Sequence, residues 1–450
     1  MIFDRVRLTS LLERELDAFR ARTPRSRDLF ERARGSLVGG VTMPWMLRWA
    51  GGYPPFTAQA SGARVTDVDG NEYIDLALGD TGAMAGHGPA ATVDALTKQA
   101  ARGITTMLPS EDGVWVAEEL TRRFAMSRWM FTLTATDANR AALRLARQIT
   151  GRPKVLVYSY CYHGSVDESF AVSAPGGATV SREGNVGPAV DPGQTTVAVE
   201  FNDLKALEQA LATGQIAVVL AEPAMTNMGI VLPDAGYHAA LRQLTRQHGT
   251  LLIIDETHTF SAGPGGCTQA WGLEPDMVTI GKSIGGGVPC GALGLADDVA
   301  TQMFEQAEAD YEDTGGVGGT LAGNPLSSAA MRATLGQVLT ADAFAQMTPL
   351  ATRFAAGVQS VIDAHALPWN VTQLGCRAEY QFLPDAARNG TTAYASHDGE
   401  LERYLHLHAL NRGVMITPFH NMALICPATT TADVDAHTAV FADAVGDLIG

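Results

Sequence analysis

The chain has 450 residues, 46% of them hydrophobic and 18% charged, enough to bury a large core and to form two or three domains. Its 32 basic against 48 acidic side chains leave a formal charge of -16, which repels a phosphate backbone, so neither nucleic acid nor an anionic membrane surface is expected as a partner and a small molecule is. The five cysteines, at 161, 267, 290, 376 and 426, are widely spaced with no CxxC pair, which argues against a disulfide framework or zinc site and for reduced, cytoplasmic thiols.

The N-terminus sets Leu8, Leu11, Leu12, Leu16 and Phe19 at helical spacing, with Arg7, Glu13, Arg14, Glu15 and Asp17 between them. This predicts a surface helix, because the apolar region of a signal sequence would not hold such charges. No apolar stretch elsewhere approaches the roughly 18 residues of a membrane span. After a Gly/Pro-rich stretch from Gly39-Gly40 to Pro54-Pro55, the segment from Arg64 to Asp75 alternates apolar and polar residues about Asp69-Gly70, which predicts a hairpin. From about residue 90, helices alternate with short apolar runs at 155–158, 216–220, 251–254 and 277–280. Such runs predict parallel strands covered on both faces by crossover helices. Between them, helices are expected from Asp203 to Ala212 and from Tyr237 to His248, the second closed by Gly249. A glycine-rich stretch from Gly315 to Gly323 leads into a further helix, and the rest of the chain has mixed character. The expected fold class is α/β: a large domain over 81–326 with a mostly parallel central sheet, and a smaller α+β domain built from both chain ends, 1–80 and 327–450.

In an open parallel sheet, ligands bind beyond the carboxyl ends of the strands. There the sequence sets Glu222-Pro223, Asp255-Glu256 and Gly281-Lys282-Ser283, each directly after an apolar run or within a residue of it. Lysine is scarce. Lys98 and Lys205 lie on polar helix faces, Lys154 precedes a strand at the opposite end of the sheet, and only Lys282 stands at a strand's carboxyl end, beside Gly285-Gly286-Gly287. A solvated loop lysine is the plainer alternative. An aldehyde cofactor accounts for the set: an amine condenses with it, and an acid beside its ring nitrogen keeps the ring protonated and able to accept carbanion electrons. Asp255 suits that second role, against the alternative of an aspartate closing a turn after a strand. A cofactor phosphate needs backbone N–H groups at a helix start. Thr132 to Asp137 places small hydroxyl residues just before a helical run from Ala138 to Ile149, with an ordinary threonine N-cap as the alternative. Gly319-Thr320 offers another hydroxyl where glycines let backbone approach a ligand. Tyr162 stacks on the ring or belongs to the core.

The segments Tyr162-His163-Gly164, Ala221-Glu222-Pro223, Asn227-Met228-Gly229, Asp255-Glu256, Gly281-Lys282 with Gly285-Gly286-Gly287, and Gly319-Thr320 to Asn324-Pro325 occur in this order. At these spacings they resemble the class III aminotransferases of the fold-type I pyridoxal-phosphate superfamily, nearest the branch holding glutamate-1-semialdehyde aminomutase and β-amino-acid aminotransferases. The resemblance implies Lys282 as the Schiff-base lysine, Asp255 on the pyridine nitrogen, Tyr162 stacked on the ring, Thr134, Ala135 and Thr136 around the phosphate, and Glu222 in support. It also implies a homodimer with a shared active site, in which Thr320 reaches the phosphate bound to the partner subunit.

The departures from that family are as informative. Its phosphate loop usually reads Ser-Gly-Thr-Glu, and here it is Thr134-Ala135-Thr136-Asp137, so that the Ala135 methyl should narrow the backbone's approach. Where the family has Val, a variable residue and Thr-Gly-Phe-Arg, this chain has Thr257-His258-Thr259-Phe260-Ser261-Ala262, which sets His258 near the cofactor's phenolic oxygen or in a structural role. The Ser-Pro-x-Arg segment that holds the aminomutase's substrate carboxylate is replaced by Met43-Pro44-Trp45-Met46, without the arginine. Trp45 and Met46 would floor an apolar pocket or belong to the core. Arg377 is a substitute for carboxylate recognition or one half of an ion pair with Glu379 or another acid.

Loss of that arginine favours transfer between two substrates, from an amine or amino acid to a keto acid, ketone or aldehyde. Aminomutase-type 1,2-migration and amino-acid racemisation are the alternatives on the same cofactor, and a non-catalytic binding or scaffold protein is the alternative outside the enzymes. Ile280-Gly281-Lys282-Ser283 imitates a nucleotide-binding P-loop, but Asp276 stands where its first glycine belongs, and His406-x-His408 lacks metal-ligand spacing, so no metal is expected.

Overall fold

The computed structural model describes residues 3–305 and 316–450; Gly315, the first residue of the glycine-rich stretch, lies outside them. The chain divides into two compact units. One comprises Ala90–Asp342 with Ala387–Ala395, the other Met1–Pro89, Ala343–Ala386 and Ser396–Gly450.

The first unit is organised by a seven-stranded sheet of β1 (Arg128–Thr132), β2 (Lys154–Tyr158), β3 (Thr196–Val199), β4 (Ile216–Ala221), β5 (Leu251–Asp255), β6 (Met277–Gly281) and β7 (Gly291–Leu295). Their order across the sheet is β1-β7-β6-β5-β4-β2-β3. β7 runs antiparallel to both neighbours and the remaining pairs are parallel. The four apolar runs of the sequence are β2, β4, β5 and β6. Every residue of β4 and β6 is buried, which is why these strands show no alternation. β1 and β7 escape such a reading for separate reasons. β1 is only partly buried, and β7 is Gly-Ala-Leu-Gly-Leu, whose glycines make room for a neighbour. A Cβ at Gly294 would lie 2.7 Å from the Trp129 indole, which reaches over from β1.

Helix α1 (Ala135–Thr150) begins three residues before the predicted run, because Thr134 caps it. The Thr134 Oγ1 accepts the Asp137 N–H at 3.2 Å and donates to the Asp137 carboxylate at 2.8 Å. Gly151, at φ 66°, closes the helix in the left-handed conformation. Its buried face is built of Ala138, Ala141, Ala142 and Ala146 with Leu143 and Leu145, small side chains that let the helix axis come close to the sheet.

In the second unit the hairpin lies where the alternation put it, with Arg64–Asp67 antiparallel to Glu72–Asp75. Thr57–Ser61 and Val414–Met415 extend it to four strands, and Asn370–Leu374, Arg377–Gln381 and Met422–Leu424 form a separate antiparallel sheet. The first helix, Arg5–Arg22, buries Leu8, Leu11, Leu12 and Phe19 together with Glu15. That buried acid accepts Asn411 Nδ2 at 2.8 Å and Arg412 Nη1 at 3.1 Å. Among the described residues, no helix is long and apolar enough to cross a membrane.

Candidate active site

β5 ends in the buried Asp255, and a second buried acid, Glu256, follows it in different surroundings. Asp255 Oδ2 accepts from Asn139 Nδ2 at 2.8 Å and lies 2.8 Å from His163 Nδ1, while Oδ1 accepts the Thr257 N–H at 3.0 Å. Burial alone would raise this carboxyl, but His163, Thr257 and Asn139 together outweigh it and hold Asp255 at about 2. Burial likewise opposes a charge on His163, and Cys161 and the Asp255 carboxylate overcome it, so the imidazole is raised well above the ordinary histidine range. Asp255 and His163 are therefore a buried carboxylate–imidazolium pair. Glu256, one residue on, meets only neutral donors: the Thr259 and Thr268 hydroxyls at 2.5 and 2.6 Å, and the backbone N–H groups of Cys267 and Thr268. There burial prevails, and the carboxyl is raised despite those four bonds.

Lys282 directly follows β6 at φ 51°, half-buried, in a conformation that L residues rarely adopt. Its Nζ lies 2.8 Å from His258 Nε2. The start of α1 sits against this strand end. A Cβ at Gly281 would come within 2.9 Å of the Ala135 nitrogen and 3.0 Å of its methyl, so the Ala135 side chain occupies space that this glycine leaves. Gly164 makes a second close approach, since a Cβ there would collide with Thr136 Oγ1, which accepts the Ser165 N–H at 3.3 Å. The ends of β5 and β6, the loop after β2 and the first turn of α1 thus converge. A helix start offers N–H groups without intrahelical partners, and a 16-residue helix adds its dipole.

Around this centre, Glu222 after β4 is buried and accepts from the Thr226 hydroxyl and, at 3.4 Å, from its N–H. Burial raises it to about 7 against the pull of His163 and Thr226. Tyr162 is 42% exposed and meets Phe170 edge-on at 6.3 Å. Thr320 is exposed on the single chain. Lys154 opens β2 and donates to the Gly193 carbonyl at 2.8 Å.

The remaining sequence candidates lie in the second unit. Trp45 packs edge-on against Phe419 at 5.6 Å, and Met46 Sδ accepts the Thr42 hydroxyl at 3.4 Å. With Val41, Trp49 and Phe56 they line a cavity of about 350 Å³. Arg377 is completely buried with its Nη2 3.6 Å from Glu379 Oε2, and Glu379 in turn lies 2.8 Å from His420 Nδ1. The ion pair that the sequence offered as an alternative for Arg377 is present.

Three side chains at the centre had been given no role from sequence: His163, Asn139 and Thr279. His163 stood inside a quoted motif, overshadowed by Tyr162. Asn139 did leave a signal, because it is a fully buried polar residue on the apolar face of α1, beside Ala138 and Ala142. Such a residue needs a partner.

The family profile described as Aminotransferase class-III matches residues 48–445. A glutamate-1-semialdehyde 2,1-aminomutase from Chloroflexus aggregans is 35% identical over 427 residues, 92% of this chain and 96% of that protein. The chain belongs to the class-III aminotransferase family. Among solved structures, a glutamate-1-semialdehyde-aminomutase from Pseudomonas aeruginosa PAO1, crystallised in complex with PMP, superposes with a TM-score of 0.97 at 48% identity, covering 100% of both chains. An omega-transaminase from Sphaerobacter thermophilus superposes with a TM-score of 0.86 at 29% identity, covering 94% of this chain and 98% of that one. This class-III chain has the fold-type I architecture of pyridoxal-phosphate enzymes.

Proposed function

We propose that the protein moves an amino group within a single substrate, by 1,2-migration of the glutamate-1-semialdehyde type. The cofactor is pyridoxal phosphate. The sequence by itself favoured transfer between two substrates; the names carried by the relatives support migration better. The observation that carries the assignment to this chemistry is the convergence of the Lys282 amine, the anionic Asp255 and the first turn of α1 at neighbouring strand ends.

When bound, pyridoxal phosphate supplies an aldehyde that condenses with amines and a ring that takes up carbanion electrons. Lys282 Nζ would be its covalent anchor and the base that takes the substrate's carbon-bound proton. Asp255, anionic and rigidly held, keeps the proton on the ring nitrogen. The N–H groups of Ala135 and Thr136 bind the phosphate, with Thr134 fixing the helix start. Tyr162 covers the ring face, Glu222 backs the site, and His258 stands beside the Lys282 amine. Membership of the class-III family supports a homodimer in which Thr320, exposed on the single chain, completes the other subunit's phosphate site. Five buried cysteines, none in a disulfide, fit a reducing cytoplasm.

One observation favours the second reading, transfer between two substrates: Met46 stands where the aminomutase segment has its arginine, and the cavity it lines is mostly apolar, with Asp75, Asp80 and His87 also on its wall. The deciding experiment supplies purified holoenzyme with glutamate 1-semialdehyde alone. Isomerisation in which amine and carbonyl exchange places, with no added acceptor, is expected. Arrest after one equivalent, relieved only by a keto acid, would move the assignment to the second reading. Lys282→Ala should abolish turnover and the labelling of this residue by borohydride; an active variant would refute both.

A further inference from the structure

We propose that Thr279 is a positioning residue for Asp255, acting through the side-chain amide of Asn139. The inference rests on the reading of Asp255 as the acid that faces the cofactor ring. β5 and β6 run parallel with Asp255 opposite Thr279, so the two side chains leave the sheet on the same face. α1 lies on that face. Its Ala135 packs against Gly281, and four residues on, about 6 Å along the helix, Asn139 reaches Thr279, two residues or about 6.6 Å back along β6. Asn139 and Thr279 are both completely buried.

The hydrogen bonds leave one orientation for the amide. Asn139 Nδ2 faces two atoms that only accept, Asp255 Oδ2 at 2.8 Å and the His163 carbonyl oxygen at 3.2 Å. Its Oδ1 therefore faces Thr279 Oγ1 at 2.6 Å, and since an amide oxygen cannot donate, the threonine hydroxyl does. A flipped amide would turn its oxygen towards the Asp255 carboxylate and its NH₂ towards Thr279, losing the bond to the acid. The two acceptors penalise that flip, and the Thr279 hydroxyl, by donating to the amide oxygen, ties the amide so oriented to β6. Elsewhere β6 is built of Met277, Val278, Ile280 and Gly281, and a buried hydroxyl in such a strand costs stability unless it is used. Thr279 uses its hydroxyl on the one neighbour that touches Asp255 through the helix.

The test is a double-mutant cycle on the holoenzyme, read by pyridoxal phosphate affinity from visible absorbance and by kcat and KM separately. Thr279→Val keeps the shape and removes the donor. It should weaken cofactor binding and lower kcat, each about tenfold, with KM within about twofold, while Thr279→Ser stays near wild type. In an Asn139→Ala background, Thr279→Val should add nothing further. A valine variant with wild-type affinity and kcat, or one whose effect persists undiminished without Asn139, overturns the proposal. If the valine protein does not fold, Thr279→Ala is carried through the same cycle with the same criteria. Asp255→Ala, measured alongside, separates the failures. Wild-type behaviour of that variant sinks the reading of Asp255 itself, whereas a crippled Asp255→Ala with no coupling between Thr279 and Asn139 sinks only this inference.

Discussion

Asp255 and Glu256 are neighbours in the chain, equally hidden from solvent and each held by several hydrogen bonds, yet their carboxyl groups are driven in opposite directions. Three side-chain and backbone donors hold Asp255 and four hold Glu256, so the number of bonds does not decide the matter. A charged donor does. His163 brings a cation into the Asp255 pocket, and its attraction offsets the desolvation that governs Glu256. The chain has thereby made one acid an electrostatic instrument and the other a clasp for the turn from Thr259 to Thr268. Their places are set by strand direction, since β5 ends between them.

The sharpest way to break this contrast is Asp255→Ala, which should cost roughly 10³-fold in turnover with the fold intact by circular dichroism, as for the loss of an oriented electrostatic partner. Near-wild-type rates would remove the electron-sink role. Replacing the cation, by His163→Gln, leaves Asp255 with neutral donors like those of Glu256 and should lower turnover roughly tenfold or more; unchanged kinetics would mean that donor charge is not the deciding factor. Glu256→Gln turns an NH₂ group towards donors that need an acceptor. It should cost about 1–3 kcal/mol in denaturant unfolding while leaving turnover within about threefold, and a large loss of turnover without loss of stability would reverse the roles given to the two acids. The smallest effect is in pH dependence. Asp255 has its carboxyl depressed from 3.8 to about 2 in the folded protein, so its contribution to stability is complete above the higher value and is lost as pH falls through the lower. The stability gap between wild type and Asp255→Asn should close over that window. Glu256 is raised, so the gap for Glu256→Gln should narrow as pH increases. Parallel pH slopes for the two variants would show that the acids are not opposed.

Much of the frame was legible in the residues. Runs such as Ile216 to Leu220 and Leu251 to Ile254 are apolar on both faces, and only a strand covered on both sides tolerates that, so β2, β4, β5 and β6 could be placed without a structure. Lys282 could be singled out because the other lysines belong to solvated faces or to the far end of the sheet. β7 could not, since its Gly294 is explained by the indole of Trp129, a residue 165 positions earlier in the chain. Nor could the start of α1 be fixed, because the run of apolar residues begins only after the capped first turn.

Local composition determined which segments are strands, which strand ends carry an amine and acids, and that this amine stands beside glycines. Which acid has its charged form favoured was decided only when folding brought Asn139 from α1 and His163 from the loop after β2 against one carboxylate, with Thr279 of β6 bonded to Asn139 behind it. The reason is one of range. Strand and helix propensities act over a few residues, whereas the charge state of a buried acid is set by dipoles and charges within a few ångströms that the sequence scatters over more than a hundred positions.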